Sequence, residues 1–217
     1  MIRVCFHIHS DRSHDSLLGL EEIAKEAKKN KFDVVFLTDH GNLFSLEEAK
    51  KISEVRIVVG EEMKTSQGEI IGIFLKEKIE SGLSPEETIG KIKEQGGLVV
   101  VPHPFDPLRF VALKKEALLA NLDQVDMIEV FNARNILDSS NKKALALAEE
   151  KNKTKIVGAD AHSAKEMKNA WFEMEDFDGP ADFLEKIKKA KFHTRSAGLG
   201  GYPAYFFNKI FKKKRCA

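Results

Sequence analysis

The chain is poor in cysteine, has no long apolar run, and carries charges that nearly cancel. Its two cysteines, Cys5 and Cys216, form neither a CxxC pair nor a disulfide framework. A reducing compartment, the cytoplasm, is therefore expected. No apolar stretch approaches the ~18 residues of a membrane span, so none is expected. The first residues lack the charged segment, apolar stretch and cleavage site of an export leader. Net charge is +1, from 35 Lys and Arg against 34 Asp and Glu. That argues against a nucleic-acid grip spread over the whole surface, while leaving a local one open. No internal repeat or low-complexity linker divides the 217 residues. A domain of this size buries roughly 70% of its unfolded surface and needs no staple to fold.

What is present is alternation. Short apolar runs at 3–7, 33–38, 55–60, 69–75, 98–102, 127–131, 155–159, 170–174 and 192–195 read as strands. Several, such as Val34-Val-Phe-Leu37 and Leu98-Val-Val-Val101, are apolar on both faces, which suits strands covered on both sides. Helical patterns lie between them. Leu20, Ile23, Ala24 and Ala27 form one apolar stripe, and 142–151 and 181–190 read likewise. Ser45-Leu-Glu-Glu48 and Ser84-Pro-Glu-Glu87 read as capping boxes, the second with proline at the first helical position. This alternation predicts an α/β fold with a mostly parallel sheet. Seven or so βα units would close a barrel, whose site lies at the C-terminal strand ends. From Tyr202 onward the chain changes character, mixing aromatics with Lys212-Lys-Lys-Arg215. A closing helix with a solvated basic end is expected there; a surface or nucleic-acid contact is the other reading.

The histidines cluster at the predicted strand ends. His7 and His9 are two apart, so a strand aims both imidazoles one way. Asp160 and His162 repeat that spacing after the seventh run. His40 ends the second run, with Asp39 facing the other way and free to orient a neighbour. His103 sits between two prolines that fix the backbone. One of Glu61 and Glu62 should face the same spot, and a carboxylate can bridge two cations. Asp11, His14 and Asp15 all lie in the first loop, and spacing alone does not choose among them. Asp106 reads as a turn residue. Glu129 is a charge inside an apolar strand, costly unless paired. Asn132, Arg134 and Arg195 complete the strand ends, and arginine suits a phosphate. His193 reads as peripheral. Clustered His, Asp and Glu of this kind are what a multinuclear metal site needs.

Taken in order, His7-Ile-His9, Ser13-His-Asp15-Ser-Leu-Leu, Thr38-Asp-His40, Gly60-Glu-Glu62, Pro102-His103-Pro104, Ile128-Glu-Val-Phe-Asn132 and Asp160-Ala-His162 resemble the PHP (polymerase and histidinol phosphatase) domain family. The resemblance covers about residues 1–195, and a barrel over 1–200 with a tail at 201–217 is the expected organisation. It implies a distorted (β/α)7 barrel holding two or three divalent ions, of zinc, manganese or iron. His7, His9 and Asp160 would hold one ion, Glu62 would bridge, and His103 would hold a second. His40, His162 and a first-loop side chain would hold the third, with Asp15 favoured over His14. Asn132 departs from the histidine many members place there, and an amide oxygen is a poorer ligand than imidazole, so the second ion is either weakly held there or takes Glu129 or a water instead.

The resemblance further implies metal-assisted phosphoester hydrolysis without a nucleophilic side chain, with Arg134 and Arg195 against the phosphate. The substrate would be a small phosphomonoester, a nucleotide or a nucleic-acid end, and no obligate protein partner is expected. Two other readings are metal-dependent cleavage of a C–N or C–O bond, as in amidohydrolase barrels, and a noncatalytic binding barrel with a structural metal.

Overall fold

The structure, a computed structural model, describes residues 1–197 apart from Ser45 and Phe110. The aromatic and basic tail and the cap expected at Ser45 lie outside the described residues.

All nine expected strands form. They are β1 (Ile2–Ile8), β2 (Val34–His40), β3 (Arg56–Thr65), β4 (Gly68–Ile73), β5 (Leu98–Val101), β6 (Met127–Asn132), β7 (Thr154–Gly158), β8 (Ala170–Met174) and β9 (Lys191–Thr194). Helices α1 (Leu20–Asn30), α2 (Leu46–Lys50), α3 (Pro85–Glu94), α4 (Lys115–Ala120), α5 (Asp138–Glu150) and α6 (Gly179–Lys186) lie between them. In α1, Ile23, Ala24 and Ala27 are buried, as the apolar stripe predicts. At α3 the capping box forms, Glu87 N–H donating to Ser84 Oγ at 3.1 Å and Ser84 N–H to Glu87 Oε2 at 2.8 Å.

One sheet runs in the order β7-β6-β5-β4-β3-β2-β1-β8-β9. The chain just past β7 then returns to β1. Ala159 N–H donates to Phe6 O, Ala161 N–H to His7 O and His9 N–H to Ala161 O, at 2.9–3.0 Å. Those bonds all but close the first seven strands into a barrel. The β1–β2–β3 and β5–β6–β7 pairings are parallel, as expected. Strand β4 runs against both neighbours. Only Ser66 and Gln67 separate it from β3, and a parallel return needs a dozen residues or more. Gly68, at φ +126°, lies so close to Leu113 and Ala112 that a Cβ would collide with their backbone. Strands β8 and β9 leave the barrel as an antiparallel flank on β1.

The core is the barrel's apolar lining and its jacket. Phe6, Phe36, Phe172 and Phe183 are fully buried, with Phe36 and Phe183 ring centroids 5.1 Å apart. Each buried phenylalanine contributes roughly 1.5–3 kcal/mol by leaving water. Among the described residues no helix is long and apolar enough to cross a membrane. Cys5 is buried, and its thiol donates to Met167 O at 3.1 Å.

Candidate metal centre

The parallel strands bring their C-terminal ends to one mouth, and β1 supplies its first two imidazoles. His7 has a left-handed backbone, φ +66°, where the β1–β2 register shifts between Cys5 and Ile8. The strand is therefore irregular at this point, yet the two rings converge, with centroids 5.1 Å apart. Each is aimed from behind. His7 Nδ1–H donates to Glu129 Oε1 at 2.8 Å, turning Nε2 to within 3.3 Å of Glu62 Oε2 and 3.8 Å of Asp160 Oδ1. His9 Nδ1–H donates to Ser13 Oγ at 3.1 Å, whose own O–H donates to Asp39 Oδ1 at 2.7 Å. His9 Nε2 then lies 3.3 Å from Glu62 Oε2 and 3.5 Å from Asp160 Oδ1. Partners of this kind fix the tautomer and orientation of a metal-binding histidine.

The β2–β3 register sets the next pair, because His40 lies directly opposite Glu62. His40 Nδ1 is 3.3 Å from Glu62 Oε2. The pleat sends their predecessors elsewhere. Asp39 takes the N–H and O–H of Ser10 at 2.6 and 2.7 Å. Glu61 takes Ile79 N–H at 2.9 Å, and burial pushes its carboxyl up to about 7. From the first loop Asp15 is the residue that enters. Its Oδ2 stands 3.2 Å from His162 Nε2 and 3.5 Å from His40 Nε2. His14, with a side chain 62% exposed, reaches only to 3.9 Å of Asp15. His103, at φ +30°, puts Nε2 2.9 Å from Glu62 Oε1. Asp160, at φ +49°, stands between the His7 and His9 side and His162. Left-handed backbone at three such residues is strain of the sort that gathers at functional sites.

Three groups of donor atoms result, each compact enough for one ion: His9, Asp15, His40 and His162; His7, Glu62 and His103; and His7, His9 and Asp160. All eight expected ligands are among them. The weaker candidates fall just behind. Glu129 takes His7 Nδ1–H, His103 N–H at 2.6 Å and Asn132 Nδ2–H at 2.9 Å. Asn132 spends its amide on Glu129, Asp160, Arg109 and the Arg134 backbone. Arg134 is buried and donates from Nη1 to His162 Nδ1 at 2.6 Å. Arg195 is exposed, two residues before Ala197, whose N–H donates to Ala133 O beside the mouth. His193 stacks on Trp171 at 3.8 Å and takes no place in the three groups.

Two residues at the centre were not expected. Glu69, on β4, is buried with its oxygens 3.8 Å from His40 Nδ1 and 3.7 Å from His103 Nε2. Arg109 donates from Nη2 to Asp160 Oδ2 at 2.6 Å. A Glu opening an apolar run, as in Gly68-Glu-Ile-Ile, is the only sequence signal for the first. Arg109 shows none beyond its place after the His103 turn.

Acid predominates. Asp15, Glu62, Glu69, Asp106, Glu129 and Asp160 are all buried here, against the guanidiniums of Arg109 and Arg134. The imidazoles respond. Burial opposes charge on His7, yet Glu129, Asp160 and Glu62 raise its pKa well above the ordinary value. Burial likewise opposes His9, but Asp160 and Glu62 lift it to about 9. Burial would raise Glu62, but His7, His40 and His103 hold its carboxyl well below the usual range. Burial, and then the charge of Glu62, pushes Glu69 up to about 8. Burial, with His9 and Arg134 nearby, pushes His162 down to about 3. His9 Nε2, His103 Nδ1 and Asp15 Oδ1 are buried with no hydrogen-bond partner among the described residues. Surplus acid, convergent imidazoles and donor atoms left open fit divalent cations.

Fold and centre define a metal-binding α/β barrel. The chain belongs to the PHP domain family, whose model matches residues 6–154, and the PHP-associated model matches residues 138–192. An uncharacterized protein of Methanocaldococcus jannaschii is 34% identical over 197 residues, covering 86% of this chain and 79% of that one. Among solved structures, a two-domain protein from Bacteroides vulgatus containing a predicted PHP-like metal-dependent phosphoesterase matches with a TM-score of 0.67 at 18% identity, over 95% of this chain and 69% of that one. An amidohydrolase from Chromobacterium violaceum with bound sulfate matches with a TM-score of 0.59 at 17% identity, over 76% of this chain and 89% of that one.

Proposed function

We propose that this protein hydrolyses a phosphoester with two or three divalent ions held by His7, His9, Asp15, His40, Glu62, His103, Asp160 and His162. The observation that carries the reading is the convergence of His7, His9 and His40 on one Glu62 oxygen, each at 3.3 Å. A carboxylate oxygen shared between cations would gather imidazoles in this way. Bound ions would supply a water of lowered pKa and charge against the phosphoryl oxygens.

The chain's own residues do the rest. Glu129 and the Asp39–Ser13 pair hold His7 and His9 in their binding tautomers. Glu62 bridges. Arg134 and Arg195 would supply guanidinium charge against the phosphate. The buried, apolar barrel wall keeps bulk water from the carboxylates. The substrate class is a small phosphomonoester, a nucleotide or a nucleic-acid end, met in the reducing cytoplasm that the free Cys5 suits.

The test is turnover of a chromogenic phosphomonoester and phosphodiester with manganese or zinc. His7→Ala and His40→Ala are expected to lose it. Full activity in both variants would sink the reading. Two bound ions with no turnover across the panel would favour cleavage of a C–N or C–O bond instead.

A further inference from the structure

The shortest cation–anion contact inside the centre is not made by an imidazole. Arg109 donates from Nη2 to Asp160 Oδ2 at 2.6 Å, and the same nitrogen lies 3.3 Å from Asn132 Oδ1. Its Nε is held 3.3 Å from Asp106 Oδ2, and Asp106 Oδ1 takes Leu108 N–H at 3.0 Å. The loop that carries it is pinned to the barrel by Glu69 N–H donating to Val111 O at 2.8 Å. The guanidinium is therefore placed, with its side chain 19% exposed.

Asn132 explains why it can stay. The amide nitrogen faces Glu129 Oε2 at 2.9 Å and Asp160 Oδ2 at 3.2 Å, acceptors that fix the orientation of the amide. Its oxygen takes Arg134 N–H at 3.0 Å and Arg109. No lone pair is left for a cation that pairs with His103 and Glu62. Asp160, for its part, turns Oδ1 to His7 and His9 and Oδ2 to Arg109.

We propose that the Arg109 guanidinium serves as a built-in cation at the Asn132–Asp160 corner, so that the centre holds two divalent ions and a fixed arginine rather than three ions. One ion takes His7, His9, Glu62 and Asp160 Oδ1. The other takes Asp15, His40 and His162. Of the eight residues proposed above, His103 then pairs with Glu62 Oε1 at 2.9 Å and holds no ion of its own. A third dication would face Arg109 across a buried corner with one carboxylate oxygen already taken. This proposal rests on the metal-centre reading above.

The experiment counts metals per chain by elemental analysis after manganese or zinc loading and gel filtration. Wild type, Arg109→Met, Asn132→His and the double variant are compared, each checked for folding by thermal melting. Two ions in wild type and in each single variant, and three in the double variant, are expected. Three in wild type would overturn the arginine proposal while leaving the hydrolase reading standing. So would a folded double variant that still holds two. Fewer than one ion in folded wild type would overturn the hydrolase reading itself.

Discussion

Glu129 Oε1 lies 2.8 Å from His7 Nδ1, and this one bond decides which nitrogen of His7 faces Glu62. Glycine at 158 makes room for it, because a Cβ there would collide with the Glu129 carboxylate. Glu129→Gln is predicted to weaken metal affinity roughly 10- to 100-fold while the fold persists, the usual effect of losing such an orienting partner. Gly158→Ala should do the same by displacing Glu129. Chelator competition measures both, and unchanged affinity in the two variants would remove Glu129 from the centre.

In the metal-free protein His9 and His162 should contribute to stability in opposite directions on either side of pH 6.5. His9 is raised to about 9 from 6.5, so its contribution is complete below about 6.5 and lost as pH rises through about 9. His162 is lowered to about 3, so its contribution is complete above about 6.5 and lost as pH falls toward about 3. Thermal melts in chelator from pH 3 to 9 check this. With metal bound the His9 part of the alkaline loss should vanish, since ligands must shed protons to bind and affinity then rises with pH. A loss of stability between about pH 8 and 9 as steep with metal as without it would count against His9 as a ligand.

Much of this was legible in the sequence. The apolar runs located every strand, and HxH, DxH and the proline-flanked His103 marked side chains that converge at the centre, because strand ends and pleat alternation are local properties. The direction of β4 was not, since the runs at 55–60 and 69–75 look alike whichever way they pair. Glu69 reaches the centre only because that hairpin folds back beside Glu62. Arg109 arrives through a loop whose position depends on Asp106 and on Glu69 N–H, contacts no spacing announces. Asn132 was visible as a departure, but its pairing with Arg109 is a tertiary fact.

Glu69→Gln should reduce the protons released when metal binds. Burial and Glu62 push this carboxyl up to about 8 in the metal-free protein, so it is mostly protonated at pH 7, and a nearby dication would ionise it. Calorimetry in two buffers of different ionisation enthalpy counts those protons. The variant should release close to one fewer per chain at pH 7; an unchanged count would contradict the assignment.

Phe36→Ala should cost about 3–5 kcal/mol, the usual range for emptying a fully buried ring. Phe36 packs against Phe6, Phe74 and Phe183, on β1, after β4 and on α6. Denaturant unfolding measures the loss. Metal stoichiometry of the folded fraction should stay at the wild-type value, since the ring contacts of Phe36 are to other phenylalanines.

The most direct test of the central claim strips and restores the metal. Purified protein is dialysed against chelator, then titrated with manganese or zinc while phosphoester turnover is followed. Turnover should vanish on stripping and return in proportion to metal up to two equivalents per chain. Turnover that persists in the stripped protein would contradict the account.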